Sequence, residues 1–512
     1  MIMSVKVWLR SPPSHLRVYL SHSFLLPKQW LHIPVTETTP KNLLLLLDKY
    51  LSRSQLLQLH CQLITIGFYN NVTDKVGGTI WNKLLREYSQ GSFPVEAFKL
   101  YKQIQDSQKP FILMNSFTIS FFLKACANLM ELDKGNQIHA YITKVGFEIH
   151  IYVQTALLNM YLMCRSLSEA ICIFDKMTLR NQVTWNVMVT GLTKWGEVDH
   201  ATSLFERMPC RNVVSWTGLI DGYTRANRPK EALTLFMQMM AQDTRPSNIT
   251  ILTILPAASN LGNLYIGQSL HAYTVKSSYN ASDIRISNSL IHMYGNCGSI
   301  ESALRIFKEI SYDRNLVSWT TLISVFAMHG MAKEAVEQFE KMKKLNLKPN
   351  RVTFLSVLHA CSHGGLVEEG LKLFQEMIQE YGIMPEIKHY GCVVDMVGRS
   401  GRLEEAEKKI LAMPMKENVI LWRSLLAACT FHGNAEMGER IMKKIMETEK
   451  GYGGDYILLS NIFALFGRFD DVQRVRSCMD ERNVVKVAGN SLIDGLSRGT
   501  LQYRSVRQPM EL

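Results

Sequence analysis

The sequence predicts an all-α fold, a right-handed superhelical solenoid built from helix-turn-helix repeats. Three observations support it: a tryptophan phrase that recurs along the chain, two other phrases that alternate with it in fixed order, and apolar residues at helical spacing with no competing strand pattern. The tryptophans of the last three phrases, VSWTGLI, VSWTTLI and ILWRSLL, stand at positions 216, 319 and 422, at intervals of 103 residues. This interval indicates a cycle of three unequal repeats.

The repeating element is a helical hairpin. In the stretch 213–247, Leu219 and Tyr223 lie at helical spacing, Asn227-Arg-Pro interrupts the pattern, and Ala232 resumes it. A lone hairpin cannot bury both of its apolar stripes, so neighbouring hairpins must stack. In chain order, repeats 1 to 10 span residues 78–115, 116–150, 151–181, 182–212, 213–247, 248–283, 284–315, 316–350, 351–386 and 387–418.

The two ends of the chain differ from the repeats. Residues 1–40 resemble an organelle transit peptide, since they are basic and contain no acidic residue before Glu37.

The net charge of the whole chain, +12, favours an anionic partner. The apolar run Leu43–Leu47 is far shorter than the ~20 residues needed to span a bilayer, so no membrane association is expected.

The sequence offers no recognisable catalytic centre. It has ten cysteines but no C-x-x-C pair, which argues against structural zinc and disulfides. Cys126, Cys361 and Cys429 follow alanine at equivalent places and are expected to be reduced and buried. There is no H-x-E motif and no glycine-rich phosphate loop, so neither an enzyme, a cofactor nor a small-molecule substrate is expected.

Several polar residues invite a catalytic interpretation but have simpler structural ones. His139 and His271 occupy the same phrase, IHAY and LHAY, which indicates a structural role. The acidic pairs at 368–369 and 404–405 open second helices, where the helix dipole favours negative charge. The repeated tryptophans are expected in the hairpin core rather than stacked on a ligand.

The hairpin LVSWTTLISVFAMHGMAKEAVEQFEKMKKLNLKPN of repeat 8 resembles a pentatricopeptide repeat, and the alternating lengths resemble the plant subclass of long and short variants. Residues 419–494 resemble the paired extension motifs that follow the repeats in organelle RNA editing factors. Residues 495–512 would then be a short tail in place of the family's DYW deaminase domain. Residues 41–77 are expected to form a degenerate N-terminal repeat or cap, because residues 56–68 resemble the second half of a long-type repeat.

The resemblance implies that two side chains of each repeat, its fifth and its last residue, read one RNA base, with Thr favouring purines and Asn pyrimidines. The readable pairs, in repeats 1, 3, 4, 5, 7 and 8, are Asn82 with Asn115, Thr155 with Asn181, Asn186 with Asn212, Thr217 with Ser247, Asn288 with Asn315, and Thr320 with Asn350. Repeats 2, 6, 9 and 10 carry Ser120 with His150, Leu252 with Asp283, Leu355 with Glu386, and Gly391 with Asn418. These four repeats are expected to act as spacers. The implied ligand, written 5′ to 3′ in parallel with the chain, is Y-n-A-Y-R-n-Y-A-n-n, where Y is a pyrimidine, R is a purine and n is any base.

The resemblance therefore implies a non-enzymatic, sequence-specific binder of single-stranded organellar RNA that selects sites for C-to-U editing. A deaminase-bearing editing protein and other editing factors would act in trans, in the mitochondrion or alternatively the chloroplast. Two alternatives stay open: an RNA-binding factor for stabilisation, splicing or translation, and a helical scaffold for protein partners. The extension favours editing over the first alternative, and the polar reading pairs argue against the second.

Overall fold

The computed structural model describes residues 53–65, 75–91, 93–106, 115–279, 283–310, 314–414, 418–449 and 452–481. The predicted transit peptide, most of the predicted cap, the end of the extension and the tail lie outside these residues. All regular secondary structure in the described ranges is helical, which confirms the all-α prediction. The chain divides into two compact halves, the N-terminal half 1–261 and the C-terminal half 262–512.

The N-terminal half contains twelve described α-helices. They are α1 (Arg53–Thr65), α2 (Lys75–Gln90), α3 (Pro94–Asp106), α4 (Ser116–Leu129), α5 (Leu132–Val145), α6 (Ile151–Met163), α7 (Leu167–Lys176), α8 (Gln182–Lys194), α9 (Val198–Glu206), α10 (Val213–Arg225), α11 (Pro229–Ala241) and α12 (Asn248–Leu261). From α2 onward they alternate between first and second helices of repeats, and each first helix from α2 to α10 packs against the next first helix as well as against its own partner.

The C-terminal half continues the alternation. Its described helices are α13 (Leu264–Lys276), α14 (Ile284–Asn296), α15 (Ile300–Glu309), α16 (Leu316–Met328), α17 (Ala332–Lys344), α18 (Arg351–Gly364), α19 (Val367–Gln379), α20 (Ile387–Arg399), α21 (Leu403–Leu411), α22 (Val419–His432), α23 (Ala435–Thr448), α24 (Gly453–Leu465) and α25 (Phe469–Glu481). Helices α22 to α25 belong to the predicted extension and form two further hairpins. The extension therefore repeats the hairpin geometry.

Local sequence explains where the helices of a repeat begin and end. In repeat 5, Asn212 caps α10, and Asn227 takes a left-handed φ of 55° in the turn that follows this helix. Pro229 then occupies the first turn of α11, where its missing N–H costs nothing. Glu231 in the same turn accepts a hydrogen bond from Arg228 at 2.9 Å and meets the positive end of the helix dipole.

The repeated tryptophans lie in the core, as predicted. Trp216 and Trp319 are 1% and 4% exposed, and in both cases the ring packs edge-on against a phenylalanine of the preceding second helix. Ring centroids lie 4.7 Å apart for Trp216 with Phe205 and 5.0 Å apart for Trp319 with Phe307. The tryptophans thus join consecutive repeats and present no face to a ligand.

The histidines of the long-type repeats are structural, as predicted. His139 Nδ1 lies 2.8 Å from the Tyr161 hydroxyl, and His271 Nδ1 lies 2.9 Å from the Tyr294 hydroxyl, in each case joining a second helix to the next first helix. Burial lowers the pKa of both imidazoles. His60 of α1 makes the same contact with Tyr88 at 3.0 Å, so α1 packs as the second helix of a long-type repeat would.

The three cysteines predicted to be buried lie in the core. Cys126, Cys361 and Cys429 are buried and unpaired, and burial raises the pKa of each thiol to about 12. Within the described ranges, no three His, Cys, Asp or Glu side chains are grouped so that they could hold a metal ion. None of the helices described here is long and apolar enough to cross a bilayer.

Candidate nucleic-acid interface

The last residue of each readable repeat caps the first helix of the next repeat. Its side-chain oxygen accepts a hydrogen bond from the backbone N–H of the third residue of that repeat at 2.9–3.2 Å. The capping residues are Asn115, Asn181, Asn212, Ser247, Asn315 and Asn350. Good helix caps are Asn, Asp, Ser and Thr, so the helix start limits this position to short polar side chains whatever they bind.

In repeats 1, 3, 5 and 8 the fifth residue also contacts that third residue. The Thr155 and Thr184 hydroxyl oxygens are 3.0 Å apart, and those of Thr320 and Thr353 are 2.8 Å apart. Thr217 lies 2.7 Å from Thr250, and in repeat 1 the Thr118 hydroxyl donates to Asn82 Oδ1 at 2.7 Å. The fifth residue therefore faces the start of the next first helix.

In these four repeats the two members of the predicted reading pair are joined through this third residue rather than mainly by direct contact. The Thr353 hydroxyl donates to Asn350 Oδ1 at 3.0 Å, and the Thr184 hydroxyl donates to Asn181 Oδ1 at 2.9 Å. We call the fifth residue, the last residue and the third residue of the following repeat a slot. A slot gathers three short polar side chains at the junction of two first helices.

The slots of repeats 4 and 7 are built differently. Asn186 and Asn288 are not bridged by Ser215 and Ser318, whose hydroxyls turn to the capping residues instead. Among the described residues, Asn186 Oδ1 and Asn288 Oδ1 are buried without a hydrogen-bond partner. Asn288 is 7% exposed, so an unsatisfied carbonyl oxygen there is costly until a ligand donates to it.

The sequence interpretation missed the third residue, although a signal was present. This residue is Thr or Ser after every readable repeat. After the four spacer repeats it is Val153, Ile286, His389 and Leu421. The hydroxyl therefore separates the six readable repeats from the other four, independently of the reading pair.

Side chains at the reading positions of the spacer repeats are engaged elsewhere or lack polar groups. The Ser120 hydroxyl donates to the Ser116 carbonyl at 2.7 Å, and Glu386 forms an ion pair with Arg351 at 3.0 Å. Asp283 forms an ion pair with Arg285 at 2.7 Å. Leu and Gly at the other fifth positions offer no side-chain donor or acceptor.

In each half, a row of exposed apolar side chains runs next to the slots, and the sequence interpretation also missed it. They are the second residues of first helices, three residues before the fifth residue and so on the same helix face. They comprise Phe117, Tyr152, Val183, Val214, Ile249, Val317, Val352 and Ile420, each between 54% and 67% exposed. Exposed apolar side chains grouped in this way mark a candidate ligand-binding surface.

An arginine fixes the loop before three of the capping asparagines. Arg314 lies over the Phe307 ring, 4.4 Å from its centroid, and its Nε donates to the Phe307 carbonyl at 2.9 Å. Arg180 and Arg211 make the same contacts at the end of α7 and α9. These arginines satisfy the last carbonyls of a second helix and hold the following asparagine in place.

The slot geometry continues into the extension with different chemistry. Arg423 is the fifth residue from the start of α22, and Asp455 is the third residue of α24. Arg423 Nε lies 2.9 Å from Asp455 Oδ1, and its guanidinium lies over the Tyr452 ring and 3.1 Å from Glu449. Here the position of a slot is filled by an ion pair, one end of which, Asp455, is only 3% exposed.

Comparison with known protein families gives matches along the chain. A PPR repeat model matches residues 79–108, 155–181, 183–213, 286–313 and 352–381, and a PPR repeat family model matches residues 211–260 and 314–363. An E motif model matches residues 432–494. These matches cover repeats in both halves and most of the extension.

Individual proteins and solved structures that are similar to this chain agree with these family matches. A pentatricopeptide repeat-containing protein of Arabidopsis thaliana, named mitochondrial, is 50% identical over 88% of this chain and 92% of its own length. Another from the same plant, named chloroplastic, is 36% identical over 81% of this chain and 63% of its own length. The crystal structure of PPR10 from maize has a TM-score of 0.56 at 16% identity, covering 86% of this chain and 71% of that one, which shows the solenoid fold.

Proposed function

This chain belongs to the pentatricopeptide repeat protein family, and we propose that it reads single-stranded RNA with one base at each slot. The observation that carries the proposal is the coincidence of three features at the same six repeats: a polar fifth residue, a polar capping residue, and a Ser or Thr hydroxyl at the third residue of the following repeat. One structural neighbour, PPR10, was solved in complex with an 18-nucleotide psaJ RNA element, with a TM-score of 0.53. The expected ligand keeps the pattern Y-n-A-Y-R-n-Y-A-n-n.

The exposed apolar row supports single strands as the ligand. Bases that are unpaired can place their edges against the slots and their faces against apolar side chains, whereas a duplex hides both. The net charge of +12 favours a polyanion and makes binding weaker as salt rises.

Replacing Val317 and Val352 together by Ser is expected to weaken binding of a matching 10-nucleotide RNA by about tenfold, because the bases would no longer cover two apolar side chains, at roughly 25 cal/mol per Å² of apolar surface removed from water. Both side chains are more than half exposed, so the fold should not change. Fluorescence anisotropy measures the affinity. The matched control is Met384→Ser, which alters a side chain that is 62% exposed outside the row. Equal affinity of the wild type for the single strand and its duplex would contradict the proposal.

We infer further that the bound RNA is an organellar transcript, in the mitochondrion rather than the chloroplast, and that the chain marks a cytidine for C-to-U editing. The match of residues 432–494 to the E motif supports this. The extension also carries exposed apolar side chains, Phe431 at 80%, Leu465 at 69% and Phe469 at 69%, which suit docking of a deaminase-bearing protein and other editing factors.

Loss of the gene is expected to abolish conversion at one or a few organellar cytidines, measured by sequencing organellar RNA from mutant and wild-type plants. Wild-type protein should restore conversion, whereas Phe431→Ser with Phe469→Ser should not, although its RNA affinity should be unchanged. These variants are preferable to deleting residues 419–512, because α22 packs on α20 and its buried Leu421 and Trp422 close the array. A mutant with complete editing but altered transcript abundance or splicing would refute the editing role.

A further inference from the structure

The slots fall into two classes by the third residue of the following repeat. A threonine at the fifth position is always followed by a threonine at the third, as in the pairs 155 with 184, 217 with 250, and 320 with 353. In repeats 4 and 7 an asparagine at the fifth position is followed by Ser215 and Ser318. Repeat 1 combines Asn82 with Thr118.

In repeat 8 one arrangement of the hydroxyl protons satisfies both side-chain contacts of Thr353. Asn350 Oδ1 is a carbonyl oxygen that only accepts, and the Thr353 hydroxyl can donate its single proton to it at 3.0 Å. Either hydroxyl of the 2.8 Å contact between Thr320 and Thr353 can be the donor, and in this arrangement the donor is Thr320. This leaves the Thr320 oxygen as an acceptor. Since Asn350 Oδ1 is occupied by Thr353, the Asn350 Nδ2 group is the donor that remains for a ligand.

The serine slot leaves its asparagine uncommitted. The Ser318 hydroxyl donates to Asn315 Oδ1 at 3.1 Å, and among the described residues it makes no hydrogen bond with Asn288. Asn288 Oδ1 is buried with no partner among the described residues. Its carboxamide therefore retains both its acceptor and its donors for a base.

We propose that the third residue of the following repeat is a specificity-determining residue of the slot. Where the fifth residue is threonine and the capping residue asparagine, as in repeat 8, threonine there makes the slot present one acceptor and one donor, which complement the amino group and ring nitrogen N1 of adenine. Where the fifth residue is asparagine, serine leaves its carboxamide free to match a pyrimidine. The inference rests on the proposed function, that the slots read RNA bases.

The test uses the full chain and single-stranded 10-nucleotide RNAs of the expected pattern. Repeat 7 would read nucleotide 7 and repeat 8 would read nucleotide 8, so all four bases are placed in turn at each of these two nucleotides. Thr353→Val removes the bridging hydroxyl and should reduce the preference for A at nucleotide 8 by about fivefold, the weight of one neutral hydrogen bond. Thr353→Ser should preserve it. The preference at nucleotide 7 should be unchanged in both.

Ser356→Ala is the matched control, because it removes a hydroxyl from the same helix, α18, that lies outside the slot and donates to the Val352 carbonyl of its own helix at 3.0 Å. It should leave base preference at both nucleotides unchanged. A loss of preference at nucleotide 8 in Ser356→Ala as large as that in Thr353→Val would overturn the inference. If Thr353→Val does not fold, Thr353→Ala, which needs less space at this buried site, gives the same comparison.

The inference and the proposed function fail in different ways. A wild-type chain with no base preference at nucleotide 8 refutes reading by that slot. A wild-type preference for A that Thr353→Val retains in full refutes the role of the third residue and leaves reading by the slot intact.

Discussion

Replacing Asp455 by Ala is expected to lower the free energy of unfolding of the extension by about 3–5 kcal/mol, the usual cost of leaving one member of a buried ion pair without its partner. Asp455 is 3% exposed and bonded to Arg423 Nε through both carboxylate oxygens, at 2.9 and 3.0 Å. Hydrogen exchange followed by mass spectrometry should show faster exchange in α22 and α24. Exchange in α4 to α10 should not change, because each repeat contacts only its neighbours.

Two further variants separate loss of the ion pair from loss of packing. Glu449 is the other acidic partner of Arg423, and the Glu449 side chain is 53% exposed. Glu449→Ala should therefore lower the free energy of unfolding by less than about 1 kcal/mol. Arg423→Met combined with Asp455→Leu replaces both charges by apolar side chains and should recover most of the stability. If the amide hydrogens of α22 and α24 exchange at the wild-type rate in Asp455→Ala, the ion pair does not stabilise the extension.

Replacing Thr320 by Asn and Asn350 by Asp should change the base preferred by repeat 8 from A to U. A wrong base costs about 1–3 kcal/mol in DNA readers, so affinity for the RNA with A at nucleotide 8 should fall about five- to hundredfold. The same RNA with U at nucleotide 8 should restore it. Anisotropy titrations with both RNAs measure this change of base preference. Both titrations use the same salt concentration, because salt alone changes the affinity for RNA.

The structure indicates that this double variant should fold. Asp caps helices as well as Asn does and is favoured by the helix dipole, so α18 keeps its start. The bond from Thr320 to Thr353 is lost, but Asn288 shows that an asparagine fits the fifth position without one. Thr321→Asn is the control, because the Thr321 hydroxyl donates to Val317 within its own helix at 2.8 Å. If the double variant binds both RNAs as the wild type does, these residues do not read that base.

The sequence by itself determined the helical hairpins and the burial of the repeated tryptophans. These features depend on contacts between residues close in the chain, such as Asn350 with the start of α18 or Asn227 with its turn, and on a period that apolar residues display directly. The family resemblance added the reading pairs, which remain predictions until base preference is measured.

Only the tertiary structure decided what lies between the members of each pair. Thr320 and Thr353 are separated by 33 residues and meet because the first helices of adjacent repeats stack side by side. The same stacking brings Asp455 to Arg423 and leaves Asn288 Oδ1 buried without a partner. Contacts of this kind depend on the distance and rotation between neighbouring helices, which are set by the packing of whole helix faces and which no single stretch of sequence encodes.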